Sequence, residues 1–405
     1  MKKVELLAPA GDLEKLKIAI EYGADAVYCG GNMFSLRADS GRMTPDQLEE
    51  GVSYAHKRGK KVYLTVNIFA HNDDINSFGQ FMKNISDIPI DAYIVSDPGI
   101  IFWFNNNLPD AELHLSTQAN TTNYMSALFW HNQGIKRIIL ARELSLDEIK
   151  YIRQNTPATL ALEAFVHGAM CISYSGRCLL SNFMTGRDAN QGKCAHSCRW
   201  KYSLVEGERP GEAYPILEDE RGSYILNSKD LCMIEHIPEL VASGLDSFKI
   251  EGRNKSIFYV ASVVGAYRKA IDEYYKNPDS YEFNSSWLEE LNRASHRLYT
   301  TGFYFNKPGK GDQNYETSQY IRDYTFVGLV KDYNEETGFA TIEQRNKFSV
   351  GDTIEVFGPN IDSFKQRVDI LLDELGNPID SAPHPQQIVQ VKMVKPVHQN
   401  CMVCK

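Results

Sequence analysis

The sequence predicts an α/β chain: a (β/α)8 TIM-like barrel with a cysteine-rich insertion after strand seven, followed by a small C-terminal antiparallel β-barrel domain. Three observations carry this. Eight short apolar runs alternate with amphipathic helical stretches over about 250 residues, the rhythm of a parallel sheet covered by helices. Four cysteines crowd into residues 171–198, after the seventh run. Near residue 325 the texture changes to segments of alternating apolar and polar residues separated by Gly, Asn and Pro turns.

The apolar runs are VELLAP (4–9), AVYCG (26–30), KVYLTVN (61–67), AYIVS (92–96), ELHLST (112–117), RIILA (137–141), TLALEAFV (159–166) and, beyond a long insertion, SFKIEG (247–252). Eight repeats suit a closed barrel; an open doubly wound sheet is the alternative. Helix signals fall between the runs. Asp12 precedes LEKLKIAIEYG, which ends at Gly23; Thr44, Pro45 and Asp46 open a helix reaching about Gly59; Asp97 with Pro98 opens another; Ser145 precedes LDEIKYIRQ. Residues 254–304 read as helical. The domain plan is 1–304 for the barrel with its metal-binding insertion at 163–230, 305–322 for a linker, and 323–400 for the β domain. The strands of the latter are YTFVGLVKDY, GFATIEQR, DTIEVFG and QQIVQVKMV.

The bulk numbers narrow the class of protein. A chain of 405 residues with 43% hydrophobic and 23% charged residues is ordinary for a globular protein. No run approaches the roughly 18 apolar residues of a membrane span. The start, MKKVELLAPAGDLEKL, has too short an apolar run for a signal peptide, so the expected location is cytoplasmic and no membrane partner is expected. A net charge of −9 argues against a surface that is basic throughout but leaves room for a local basic groove. In a reducing compartment eight cysteines are not a disulfide framework, and their clustering points to metal.

In (β/α)8 barrels the chemistry sits on loops after the C-terminal ends of the strands. Polar residues at those places are Asn67, Asp97, Gln118, Arg142, His167 and Glu251. The stretch EAFVHGAMCISYSGRCLLSNFMTGRDANQGKCAHSCRWKY (163–202) takes the place of the helix expected after strand seven and spaces Cys171, Cys178, Cys194 and Cys198 as C-x6-C-x15-C-x3-C. Four thiolates on one loop-rich segment suit a cubane iron–sulfur cluster; structural zinc and unliganded core cysteines are the other readings. The first pair is wider than the usual zinc knuckle. Arg177, Arg199 and Lys201 lie near enough in sequence to offset cluster charge. The candidate catalytic residues are His167, Arg142, Arg177 and Glu163. His167 is a proton donor or a structural histidine. Arg142, Arg177 and Arg253 suit a carboxylate or phosphate, or else pair with Glu163 or Glu251. Cys232, in NSKDLCMI, reads as a buried residue opening an amphipathic helix. Cys401 and Cys404 form a terminal CxxC, read as a frayed tail with exposed thiols or as an accessory metal site.

Residues Glu163, Phe165, Gly168, Ala169, Met170, Cys171, Gly176, Cys178, Leu180 and Ser181 meet every position of a signature that resembles that of the collagenase-like peptidases, family U32. The opening LLAPAGDLEKLKIAIEYGADAVYCG, the later LNSKDLCMI and FKIEGR, and the appended β domain are similar to that family as well. No HExxH or GxSxG motif accompanies them; Cys171 with His167 is the one dyad the sequence offers a peptidase. The resemblance implies instead a four-iron four-sulfur (4Fe-4S) cluster on Cys171, Cys178, Cys194 and Cys198, with Cys232 or Cys29 able to replace a ligand, Cys198 being the most open to exchange. The two-domain form resembles the branch that hydroxylates the wobble uridine of tRNA to 5-hydroxyuridine. The implied partners are the tRNA anticodon loop, prephenate as co-substrate and a shorter paralogous subunit.

Overall fold

The computed structural model describes residues 3–31, 33–35, 43–171, 173–175, 177–191, 193–200, 203–205, 213–215, 227–307, 313–314 and 320–405. Gly176, Lys201 and the side chain of Arg199 lie outside the described residues, as do parts of the 163–230 insertion and of the 305–322 linker.

Eight parallel strands close into a barrel: β1 (Glu5–Ala10), β2 (Ala26–Gly30), β3 (Lys61–Val66), β4 (Ala92–Val95), β5 (Leu113–Leu115), β6 (Arg137–Ile139), β7 (Ala161–Ala169) and β8 (Ser247–Ile250). Each pairs with the next, and β8 closes the ring by pairing with both β7 and β1. Every apolar run read from the sequence forms one of these strands, because strands buried on both faces must be apolar almost throughout. The helices start where their caps predict. Asp12 accepts from the Lys15 amide, Thr44 and Ser145 form capping boxes with Gln47 and Glu148, and Asp97 accepts from the amides of Gly99 and Ile100.

Two details of the insertion differ from expectation. A short helix, Ile237–Ala242, still returns the chain to β8, so the insertion precedes the return helix rather than replacing it. Cys232 does not open a helix. It ends the strand Asp230–Cys232, which runs antiparallel to β7 with Cys232 opposite His167. Pairing with the free edge of the overlong β7 satisfies this backbone, and Asp230 is held by the buried Arg297.

The C-terminal unit is an antiparallel sheet with its own apolar core, built from β9 (Phe326–Asn334), β10 (Phe339–Gln344), β11 (Thr353–Gly358), β12 (Ile361–Arg367), β13 (Leu371–Asp373), β14 (Ile388–Lys392) and β15 (Met402–Cys404). The order across it is β12-β11-β15-β9-β10-β14-β13. The CxxC expected as a frayed tail is instead part of this core. Met402 and Val403 fill the gap between β9 and β11, so the domain runs past residue 400, and Cys401 and Cys404 are fully buried. Burial pushes their thiols up to about 11 and about 12, and neither belongs to any group of potential metal ligands among the described residues.

The two domains share a packed boundary. Phe258 of the long helix Ile257–Lys276 stacks on Phe326 at 5.1 Å, and the Tyr22 hydroxyl donates to the Asn400 carbonyl at 2.9 Å. Arg293 reaches Glu355 in a buried ion pair. Removing one partner of such a pair strands the other charge, so Arg293→Ala is expected to lower stability by about 3 kcal/mol, read as a fall in the urea midpoint. Replacing both charges with apolar residues of similar size is expected to recover most of the loss.

Candidate active site

One cavity opens at the C-terminal ends of the barrel strands, between the barrel mouth and the cysteine insertion. From the barrel it receives Tyr28, Thr65, Asn67, Ser116, Gln118, Arg142, Phe165, Lys249, Glu251 and Arg253; from the insertion, Cys171, Tyr174, Ser175, Cys178, Asn190, Cys194, His196 and Cys198. Parallel strands that end at the same level bring residues more than 200 positions apart to one rim. Neighbouring loops brace one another there. The Asn67 amide donates to Ser116 Oγ at 3.1 Å, and the Thr117 hydroxyl donates to the Leu140 carbonyl at 3.1 Å. Arg253 donates to the hydroxyls of Ser35 and Thr65 at 2.5 and 2.8 Å. Gln118 is buried at the wall with its Oε1 unpartnered.

The insertion is moored to this mouth by hydrogen bonds that fix the cysteine backbones. Arg142 donates to Glu251 at 2.8 Å and to Ser175 Oγ at 3.1 Å, and lies 4.1 Å over the Phe165 ring. The Asn120 amide donates to the Ser175 carbonyl at 3.0 Å and that of Asn190 to the Cys178 carbonyl at 3.3 Å. Ser181, in the short helix Leu180–Thr185, accepts from the Ala195 amide at 2.9 Å and donates to the Arg187 carbonyl at 2.7 Å, which ties the Cys178 side of the insertion to the Cys194 side. The His196 amide donates to Cys194 Sγ at 3.4 Å. Among the described residues no three His, Cys, Asp or Glu side chains gather closely enough to share one metal ion. Gly168 allows the close approach of β7 and β8 beside the site. Its φ is +110°, and a Cβ there would lie 2.7 Å from the Glu251 carbonyl oxygen, which accounts for glycine at this signature position.

Beneath the cavity the barrel interior is ionic. Glu163 of β7 is fully buried and accepts from Lys249 Nζ at 2.8 Å and from Arg137 Nη1 at 2.9 Å. Arg137 also pairs with Glu5, which takes hydrogen bonds from the Tyr63 and Ser247 hydroxyls. Burial alone would raise the Glu163 carboxyl, but Lys249 and Arg137 outweigh it and hold it down at about 2. Lys249, held from below, lies 4.3 Å over the Tyr28 ring at the cavity floor.

Of the residues singled out from sequence, the structure brings together the four cysteines, Asn67, Gln118, Arg142, Glu251 and Arg253. His167, Glu163, Arg177 and Asp97 do not line this cavity. A register shift beside Lys249 and Ile250 places His167 opposite Ile250, and its ring packs among Tyr259, Tyr267 and Tyr299 at 5.5–6.0 Å. Burial lowers it to about 3, which keeps the imidazole neutral, and no dyad with Cys171 is assembled. Glu163 is the interior counter-charge, Asp97 is spent on its helix cap, and Arg177 stands on an outer recess. Cys29 and Cys232 are buried away from the cavity lining, each thiol pushed up by burial to about 12. Sequence reading passed over Lys249. The signal was there: a lysine within SFKI and a glutamate within ALEAF are opposite charges inside apolar strands, which buried strands accept only as partners.

The fold and site define a (β/α)8-barrel protein with a four-cysteine insertion over the barrel mouth and an appended antiparallel domain. The model described as "Peptidase family U32" matches residues 11–314, and "Peptidase family U32 C-terminal domain" matches 322–403; the chain belongs to peptidase family U32. It is similar to "tRNA hydroxylation protein P1" of Bacillus subtilis (strain 168), 44% identical over 100% of this chain and 95% of that protein. It is also similar to "tRNA hydroxylation protein P" of Escherichia coli (strain K12), 40% identical over 89% of this chain and 87% of that one. The "23S rRNA 5-hydroxycytidine C2501 synthase" of the same E. coli strain is 37% identical over 67% of this chain and 39% of its own length.

Glu163 contributes stability only while ionised, so that contribution is complete above pH 4.5, its ordinary value, and is lost as the pH falls towards about 2. Glu163→Gln is expected to lower stability at neutral pH by about 3–5 kcal/mol. Urea midpoints measured from pH 7 to pH 3 should then decline less steeply below pH 4.5 in the variant than in the wild type.

Proposed function

We propose that this chain is an iron–sulfur-dependent hydroxylase that converts the wobble uridine of tRNA to 5-hydroxyuridine, with prephenate as co-substrate. The observation that carries the reading is the meeting of four cysteines from one insertion with a cationic, hydrogen-bonding barrel mouth in a single cavity. The names of the full-length relatives, together with that of the rRNA-acting one, favour RNA hydroxylation as the reaction.

The cysteines fit a 4Fe-4S cluster. All four come from one insertion and line one cavity. A cubane binds each thiolate to a different iron, and four thiolates on one loop-rich segment supply that set. The amide directed at Cys194 is the kind of hydrogen bond that tunes a cluster sulfur. Cys171, Cys178, Cys194 and Cys198 would hold the cluster, and when bound it supplies electron transfer at the barrel mouth.

The remaining work falls to the chain's own side chains. Arg142, Lys249 and Arg253 suit the carboxylates of an anionic co-substrate. Gln118, Asn67 and Ser116 offer donors and acceptors to a base edge, and the Tyr28 and Phe165 rings offer it apolar walls. An anticodon loop presents bases that are already unpaired, which lowers the cost of turning one into such a pocket.

Protein purified without oxygen is expected to carry about four irons and as many acid-labile sulfides per chain. Cys178→Ala should lose both, and tRNA from a deletion strain should regain 5-hydroxyuridine with the wild-type gene but not with this variant, as read by nucleoside mass spectrometry. Zinc without sulfide in the wild-type protein, or full restoration by Cys178→Ala, would overturn the proposal.

A further inference from the structure

Beside the cysteine-lined cavity lies a second, shallower recess lined by Asn120, Thr122, Tyr174 and Arg177. Tyr174 borders both, so its ring is the partition between them. Tyr174 is 47% exposed, which leaves part of its ring open to a ligand. Arg177 is exposed and makes no ion pair among the described residues. The stretch it belongs to is basic in sequence: residues 171–200 hold Arg177, Arg187, Lys193 and Arg199 against the single acid Asp188, in a chain whose net charge is −9. Asn120 is the built element. It is held in the left-handed region at φ 52°, and its amide nitrogen is committed to the carbonyls of Gln118 and Ser175 at 3.1 and 3.0 Å. Its Oδ1 is buried and has no hydrogen-bond partner among the described residues.

An exposed aromatic ring and an exposed guanidinium with no ion pair among the described residues, side by side, match two parts of one unstacked nucleotide: a base face and a phosphate. We infer that this recess is a subsite for the nucleotide adjacent to the one presented to the main cavity, with its base stacked on Tyr174 and its phosphate on Arg177. The inference rests on the RNA-directed reading above and adds where the flanking strand is gripped. By placing a neighbouring base on the far side of the Tyr174 partition, the recess would splay two successive bases apart and leave one free to enter the cavity.

The test uses the full chain, purified without oxygen, and a fluorescent RNA hairpin with a uridine-containing single-stranded loop. Tyr174→Ala is expected to weaken binding by about 5- to 150-fold, the span of a lost base–aromatic stack, and Tyr174→Phe to bind within about twofold of wild type. Arg177→Ala should lower the slope of log affinity against log salt by about 0.7, the signature of one lost single-strand phosphate contact, which a merely structural role would leave unchanged. If wild-type protein binds the loop while Tyr174→Ala and Arg177→Ala match it in affinity and salt slope, the subsite is refuted and the hydroxylase reading stands. If the wild type binds no loop RNA and forms no 5-hydroxyuridine, both fall together.

Discussion

A carboxylate with no access to water, neutralised from two sides, is the constraint around which this barrel is organised. Glu163 on β7 meets Lys249 from β8 and Arg137 from β6, and Arg137 passes the charge on to Glu5 of β1. These are the strands at and beside the closure of the ring. A barrel interior filled only by branched apolar side chains would close as well, so the charges are not needed for the fold itself. Their effect is directional: a lysine anchored from below has its ammonium held at the floor of the cavity, beneath whatever binds there. The arginines above it are fixed differently, Arg142 by Glu251 and Phe165 and Arg253 by two hydroxyls. The positive side of the site is therefore preorganised before any ligand arrives.

The mooring of the insertion follows the same logic. Ser175 is held by both Arg142 and Asn120, so the loop carrying Cys171 and Cys178 is fastened to residues that also shape the pocket. Ser181 links that loop to the Cys194 segment. The signature residues around the cysteines thus divide into those that line the cavity, those that set the backbone path and one, Glu163, that acts through Lys249.

Much of this was legible beforehand. Strands such as AVYCG and RIILA show as continuous apolar runs because both faces are covered, and the caps at Asp12, Thr44, Asp97 and Ser145 are local signals read within four residues. What stayed hidden depends on partners distant in sequence. His167 sits at the expected level of the barrel mouth, but a one-residue register shift turned it away, and no periodicity argument registers a bulge in advance. Cys232 read as the start of a helix because its neighbours are helical in pattern; the free edge of β7 claimed it instead. The terminal CxxC looked like a tail since only two apolar residues lie between its cysteines, and burial there came from β9 and β11 on either side.

That last arrangement bears on how the chain is made. Strand β15 lies between β9 and β11 in the interior of its sheet, though it is the last of the seven to emerge during synthesis. Until residue 404 has left the ribosome, two strands that will end up as neighbours of a central ladder expose their backbone edges with nothing to pair with. The barrel can be folded by then, whereas its companion domain is the part of the nascent chain that needs shielding from aggregation.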